Sequence, residues 1–168
     1  MSERVLKPIT REGVPAALQK AHRYRVLNDP TAAESICQDV LAVEPGNTEA
    51  LVMHVLAITD QFPRGSAEDL KRAEEAVARL ENPYQYHYYR GVLSERWANG
   101  ILNRSEPRAG EMAHEWLERA LEQFERAEAL RPAGNDDAIL RWNTCIRLLS
   151  RHPEVKPPEV EDWEPGLE

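Results

Sequence analysis

The residues best suited to chemistry lie in two stretches of this chain. The first is His114-Glu115-Trp116-Leu117-Glu118. It has the start of a zinc helix, in which two histidines at i and i+4 hold the metal and a glutamate beside the first acts as base. The second histidine is missing and Glu118 stands in its place. The surrounding segment is glutamate-rich, and Glu115 with Arg119, like Glu122 with Arg126, has the i,i+4 spacing of ion pairs. A solvated charged face accounts for it better than a metal site. The five histidines (22, 54, 87, 114 and 152) show no ligand spacing, and His54, among apolar neighbours, reads as a packed core histidine. Cys37 and Cys145 form no C-x-x-C pair. Arg141 and Arg147 are near Cys145 in sequence and would lower its pKa, but no base is close by. Pro63-Arg64-Gly65-Ser66 lacks the glycine run and lysine of a phosphate loop. The expectation is a protein without catalysis, metal or cofactor.

The second stretch, residues 82–100, places Tyr84, Tyr86, Tyr88 and Tyr89 around His87, with Trp97 further on. On a helix, Tyr84, Tyr88 and Val92 share one face, while Tyr89, Leu93 and Trp97 continue another. A helix in an outer layer cannot bury its whole circumference. Some of these rings should pack between helices and others should line a surface.

Helices must position all of these residues. No segment alternates with period two, and no Asn-Gly or Asp-Gly turn occurs. Helix signals recur instead. Pro15 suits the first turn of one helix; Asp29-Pro30, Asn47 and Ser66 with Asp69 open the next three, the last as a capping box. Asn82-Pro83 opens the tyrosine helix, a start near Ser105–Pro107 leads to a glutamate- and arginine-rich helix ending at Pro132, and Asn135 opens a seventh that fades near Arg151. The 168 residues suit one domain, with 42% hydrophobic and 30% charged residues. Formal net charge is −8, which disfavours nucleic acid and anionic membranes as partners. The most apolar run, residues 50–58, is too short to span a bilayer, and the first residues lack the apolar core of a signal peptide. A cytoplasmic location is expected.

The helices also share a beat. Ala120, Phe124, Ala127 and Pro132 have the spacing A-x-x-x-F-x-x-A-x-x-x-x-P; Ala33, Cys37, Val40 and Pro45 repeat it, and Ala73, Val77 and Leu80 repeat it again with Pro83 early. Ala21 and Tyr24, and Gly91 within His87-Tyr88-Tyr89-Arg90-Gly91, match the small and aromatic positions of a preceding helix. On these residues the chain resembles the tetratricopeptide repeat family over roughly residues 14–151. The resemblance implies an all-α, right-handed superhelix of about three helical hairpins plus a C-terminal capping helix. Residues 1–13 would be an N-terminal extension and residues 152–168 an acidic, proline-rich tail. It further implies a non-enzymatic adaptor or assembly factor that takes a protein or peptide partner in a concave groove. Leu18, His22, Arg25, Val52, Leu56, Tyr88, Val92 and Glu95 would line that groove. The lysine and asparagine clamp with which some relatives hold chaperone tails is missing, since Leu18, His22 and Val52 take its places.

Two insertions depart from the family spacing. The turn Gln61–Ser66 is longer, and residues between Gly91 and Ala120 exceed the family count by about four helical turns' worth. A third hairpin with long helices should therefore protrude, which makes a structural subunit associating through it the alternative function. Ile139, Trp142 and Ile146 would face inward on the capping helix. Arg23 with Arg25 and Arg90 with Arg96 read as scattered surface arginines rather than an acidic-ligand patch. The tail carries six acids and four prolines in seventeen residues, yet keeps Val155, Val160, Trp163 and Leu167. It is either a frayed end or a docking peptide, with Trp163 and Leu167 as anchors on its own groove or on a neighbour's.

Overall fold

Most of the helices begin where a short polar side chain accepts an orphaned backbone N–H of the first turn, or where a proline, which has none, occupies it. The structure, a computed structural model, describes residues 4–159. Within them α1 spans Val14–Val26, α2 Pro30–Val43, α3 Thr48–Thr59, α4 Ala67–Ala78, α5 Pro83–Arg104, α6 Ala109–Leu130 and α7 Asp137–Arg151. Single 3-10 turns occur at Arg11–Gly13 and Phe62–Arg64, and there is no strand among the described residues. The caps are those the sequence announces. Asp29, Asn47 and Asn82 accept from the backbone N–H groups of Ala32, Ala50 and Gln85 at 3.1, 2.9 and 3.0 Å. The Ser66 N–H donates to the Asp69 carboxylate at 2.8 Å. The start of α6 lies later than the sequence suggests. Ser105 and Arg108 take left-handed backbone angles, φ 51° and 59°, and the helix begins only after both.

Helices adjacent in sequence pack on one another, and so do the alternate helices α1 with α3, α3 with α5 and α5 with α7. The all-α expectation is met. The recurring small-and-large spacing marks the buried seams: Ala33, Cys37, Val40, Ala73, Val77, Leu80, Ala120, Phe124 and Ala127 are all buried. A small residue on one helix admits a larger one from its partner, and the tightest case is Gly91. A Cβ built there would lie 2.5 Å from the Phe124 ring. Leucine at Ala120, which is fully buried, should cost about 1–3 kcal/mol by overpacking. A melting temperature within error of the parent would mean that this seam is looser than it looks.

The third hairpin has the two long helices expected, 22 residues each, but its extra turns do not stand free. The long turn after α3 packs against them. Phe62 is fully buried and meets Trp97 edge-on at 5.0 Å between ring centroids. Arg104 donates to the Phe62 carbonyl at 2.8 Å while its guanidinium lies 4.9 Å over Trp97. Gly100 lacks the Cβ that would press to 3.0 Å from the same carbonyl. The long turn after α3 fills the space beside the extended end of α5.

The last helix is rotated from its expected setting. Ala138 and Cys145 are the buried residues of α7, Ile139 and Trp142 are half-buried, and Ile146 is 39% exposed. Beyond α7 the chain turns at His152, and Val155 is buried among Ala113, Leu117 and their neighbours. This strap passes so close to α6 that a Cβ at Gly110 would overlap the Glu154 carbonyl oxygen. The described part of the tail is therefore anchored through Val155, beside the start of α6. Trp163 and Leu167 lie outside the described residues. Gly110→Ala should dislodge the strap, because backbone cannot yield as a side chain can. Limited proteolysis would then cleave near residues 152–159 several times faster than in the parent, at the rate found for Val155→Asp. Unchanged cleavage would show that the strap does not depend on this contact.

Candidate functional site

The side chains of α1, α3, α5 and α7 meet on one face. Asp60, the residue that ends α3, accepts from Arg25 Nε of α1 at 2.7 Å and from Arg96 Nη1 of α5 at 2.6 Å. Arg96 also reaches Thr59 Oγ1 at 2.7 Å and the Leu56 carbonyl at 3.3 Å. Its neighbour Glu95 is 4% exposed and takes Arg141 of α7 at 3.3 Å. Burial pushes the Glu95 carboxyl above its ordinary range, with Arg141 and Arg96 opposing. Arg25, Asp60 and Arg96 thus form one partly desolvated ionic group and Glu95 with Arg141 a second beside it, together drawing on four helices.

Apolar and aromatic groups flank these ion pairs. Val52, Leu56 and Tyr88 are half-buried, as are Tyr84, Tyr86 and Tyr89. Tyr84 stacks on Tyr88 at 5.8 Å, and Tyr88 meets Tyr89 edge-on at 5.0 Å. Burial, first of all, pushes the Tyr89 phenol up to about 12. The tyrosines are therefore divided neither cleanly inward nor cleanly outward.

The expected groove residues separate into two groups. His22 is exposed, Arg25, Val52, Leu56 and Tyr88 keep part of their surface, and all five are open to a ligand. Leu18 at 4% and Val92 at 0% exposure belong to the core, Leu18 with Val14, Leu51 and Val55 and Val92 with Ala120 and Phe124. Glu95 is likewise buried and committed to Arg141. Val92 and Glu95 face adjacent helices, whereas Leu18, though mostly buried, still forms part of the wall of a groove between α1 and α3. Asp60 and Arg141 were not legible as site residues, since their roles depend on contacts spanning 35 and 46 positions. Arg96 had a local signal, but its partners did not.

At the α1 end of this face lies a shallow groove of about 560 Å³ between α1 and α3, bordered by Leu18, His22, Arg23, Val26, Leu27, Glu49 and Met53.

A second ionic cluster is enclosed between α2, α3 and α4. Glu34, 5% exposed, pairs with Arg72 and accepts from Gln61 Nε2 at 2.6 Å. His54 lies 3.9 Å from Glu34, and neither ring nitrogen has a hydrogen-bond partner. Burial draws the His54 pKa below 6.5; Glu34 opposes this, while Arg79 and Arg72 reinforce it. The unfolded chain therefore binds the proton more readily, so stability present at neutral pH is lost as pH falls below about 6.5. His54→Leu should flatten the melting temperature between pH 7 and 5. A variant as acid-sensitive as the parent there would assign that slope to the carboxylates instead.

The chemistry-bearing residues outside this face are occupied structurally. Arg119 pairs with Glu115 at 2.5 Å and Arg126 with Glu122 at 2.6 Å, as their spacing indicates. His114 lies 3.7 Å from Glu118 on the same helix. No group of three histidine, cysteine or acidic side chains among the described residues could hold a metal ion. Burial, the largest influence, pushes the thiols of Cys37 and Cys145 up to about 12. For Cys145 this reverses the effect anticipated from its arginines: Arg141 does act on it, but desolvation and Glu95 outweigh that. No described helix is long and apolar enough to cross a membrane.

Compared with known protein families, curated proteins and solved structures, the chain matches no family model, no curated protein and no solved structure.

Proposed function

We propose that this protein is a non-enzymatic interaction module of tetratricopeptide-like architecture, an adaptor or assembly factor that holds an extended segment of a partner protein. The segment would lie on the face shared by α1, α3, α5 and α7. One observation carries the reading: residues from these four alternate helices meet on one face, where the Arg25, Asp60 and Arg96 side chains keep 18, 24 and 21% exposure beside half-buried Val52, Leu56 and Tyr88. A guanidinium has five N–H donors, so each arginine keeps donors beyond its ion pair for the carbonyls or carboxylates of a bound chain. The aliphatic and tyrosine surfaces between them suit alternate side chains of an extended ligand. The recurrence of the small-and-large spacing at buried seams supports the repeat architecture.

Selection from a random peptide library on the purified protein tests this. Selected peptides should bind the parent and lose about tenfold or more in affinity to Leu56→Arg and Tyr88→Ala, while both variants keep the parental helicity. Library peptides that never enrich, or that bind both variants as well as the parent, would remove this face as the binding surface.

A further inference from the structure

The described end of the chain that precedes α2 is strongly basic. Residues 4–29 carry Arg4, Lys7, Arg11, Lys20, Arg23 and Arg25 against Glu12 and Asp29, with Arg25 already paired to Asp60. Amid this charge, Val26 is 72% and Leu27 66% exposed at the edge of the groove between α1 and α3. Large aliphatic side chains left in water among cations suit a ligand that is apolar and acidic at once. Residues 160–168, Val-Glu-Asp-Trp-Glu-Pro-Gly-Leu-Glu, have that composition: four acids, no base, and the apolar Val160, Trp163 and Leu167.

We infer that residues 160–168 of a second copy of this chain dock in the α1–α3 groove. Trp163 and Leu167 cover Val26, Leu27 and Met53, and the acids face Arg23 on the α1 side of the groove, away from Glu49 on the α3 side. The inference rests on the proposed segment-binding face and names the occupant of its α1 end. Reach argues for a second copy. The strap holds Val155 in the core beside α6, and Pro158 lies against the groove that includes Met112. Trp163 follows Glu159 by four residues, at most about 14 Å of extended chain. Between α6 and the α1–α3 groove stand α5 and α3, and helix axes spaced 8–10 Å apart put the groove roughly 20–25 Å away. A chain's own Trp163 falls short, whereas a neighbour's is unconstrained. Two copies that exchange tails close as a dimer, while one-way docking extends into a chain of copies.

The test is sedimentation velocity of the full chain across a concentration series, with Leu27→Glu, which changes an exposed residue and spares the fold, and with Trp163→Ala. The parent should gain mass with concentration, less so at high salt, and each variant alone should associate about tenfold more weakly or worse. Mixed in equal amounts, the two variants should recover a one-to-one complex, since one supplies an intact tail and the other an intact groove. A parent that stays monomeric throughout, variants that associate like the parent, or a mixture that fails to pair would each overturn the inference. So would a monomer whose Trp163 fluorescence shifts in Leu27→Glu, because that places the tail in its own groove. None of these failures affects the library peptides, which report on Leu56 and Tyr88.

Discussion

Gly91→Leu should leave the protein without a cooperative thermal transition. Even the first atom of the new side chain lies 2.5 Å from the Phe124 ring, and the ring cannot recede. Phe124 is fully buried, with Tyr88 at 6.0 Å between ring centroids and Ala120, Leu117 and Val92 in the same cluster. Gly91→Ala separates two opposing effects. Alanine favours the helix interior over glycine by about 1 kcal/mol, while overpacking a tight core typically costs about 1–3 kcal/mol. The rigid neighbour decides in favour of a loss. Shortening the ring as Phe124→Leu costs stability alone but gives the new methyl room. The double variant Gly91→Ala/Phe124→Leu should therefore be more stable than the two single changes predict by addition, a coupling between contacting residues. Urea denaturation of the four proteins measures it. Strict additivity would show that Gly91 and Phe124 do not press on each other.

Phe62→Ala should be the most damaging single truncation, about 3–5 kcal/mol for a fully enclosed phenylalanine. The residue sits in a 3-10 turn outside the regular helices, where truncations are usually mild. Here it joins two hairpins: its ring meets Trp97, and its carbonyl accepts from Arg104. The melting temperature should fall by roughly 10 °C, at about 2–4 °C per kcal/mol for a protein of this size. The Trp97 environment should change with it, although Trp116 lies 6.4 Å from Trp97 and shares in the signal. A loss below 1 kcal/mol would mean that the long turn merely rests on α5.

The helices were legible because their signals are local. Asp29-Pro30, Asn47 and Asn82-Pro83 set helix starts through bonds to residues three positions on, and the alanine spacing marked which sides would be buried. The candidate site was legible in part. His22, Arg25, Val52, Leu56 and Tyr88 keep open surface and Leu18 lines the wall of the α1–α3 groove, but Val92 and Glu95 are enclosed. Residue type cannot separate these groups, because a leucine or valine facing a groove and one facing a neighbouring helix look alike in sequence. Asp60 and Arg141 join the site only through helices distant along the chain. The rotation of α7 escaped for a related reason: Ile139, Trp142 and Ile146 form an apolar stripe, yet Cys145 and Ala138, smaller residues, permit the closer approach.

The meeting of the two insertions, at Phe62 and the extended α5, also bears on how such a chain can change. In a row of interchangeable hairpins, one unit can be duplicated, lost or transplanted, since each asks the same thing of its neighbours. The contact at Phe62 does not allow that freedom at the centre of this chain. Removing the third hairpin would leave Phe62 bare, and shortening the turn would leave Trp97 and Ile101 facing a void. A change that shortens either the long turn or the end of α5 therefore removes packing from both. The second and third hairpins are thereby packed as one piece rather than as two separable units.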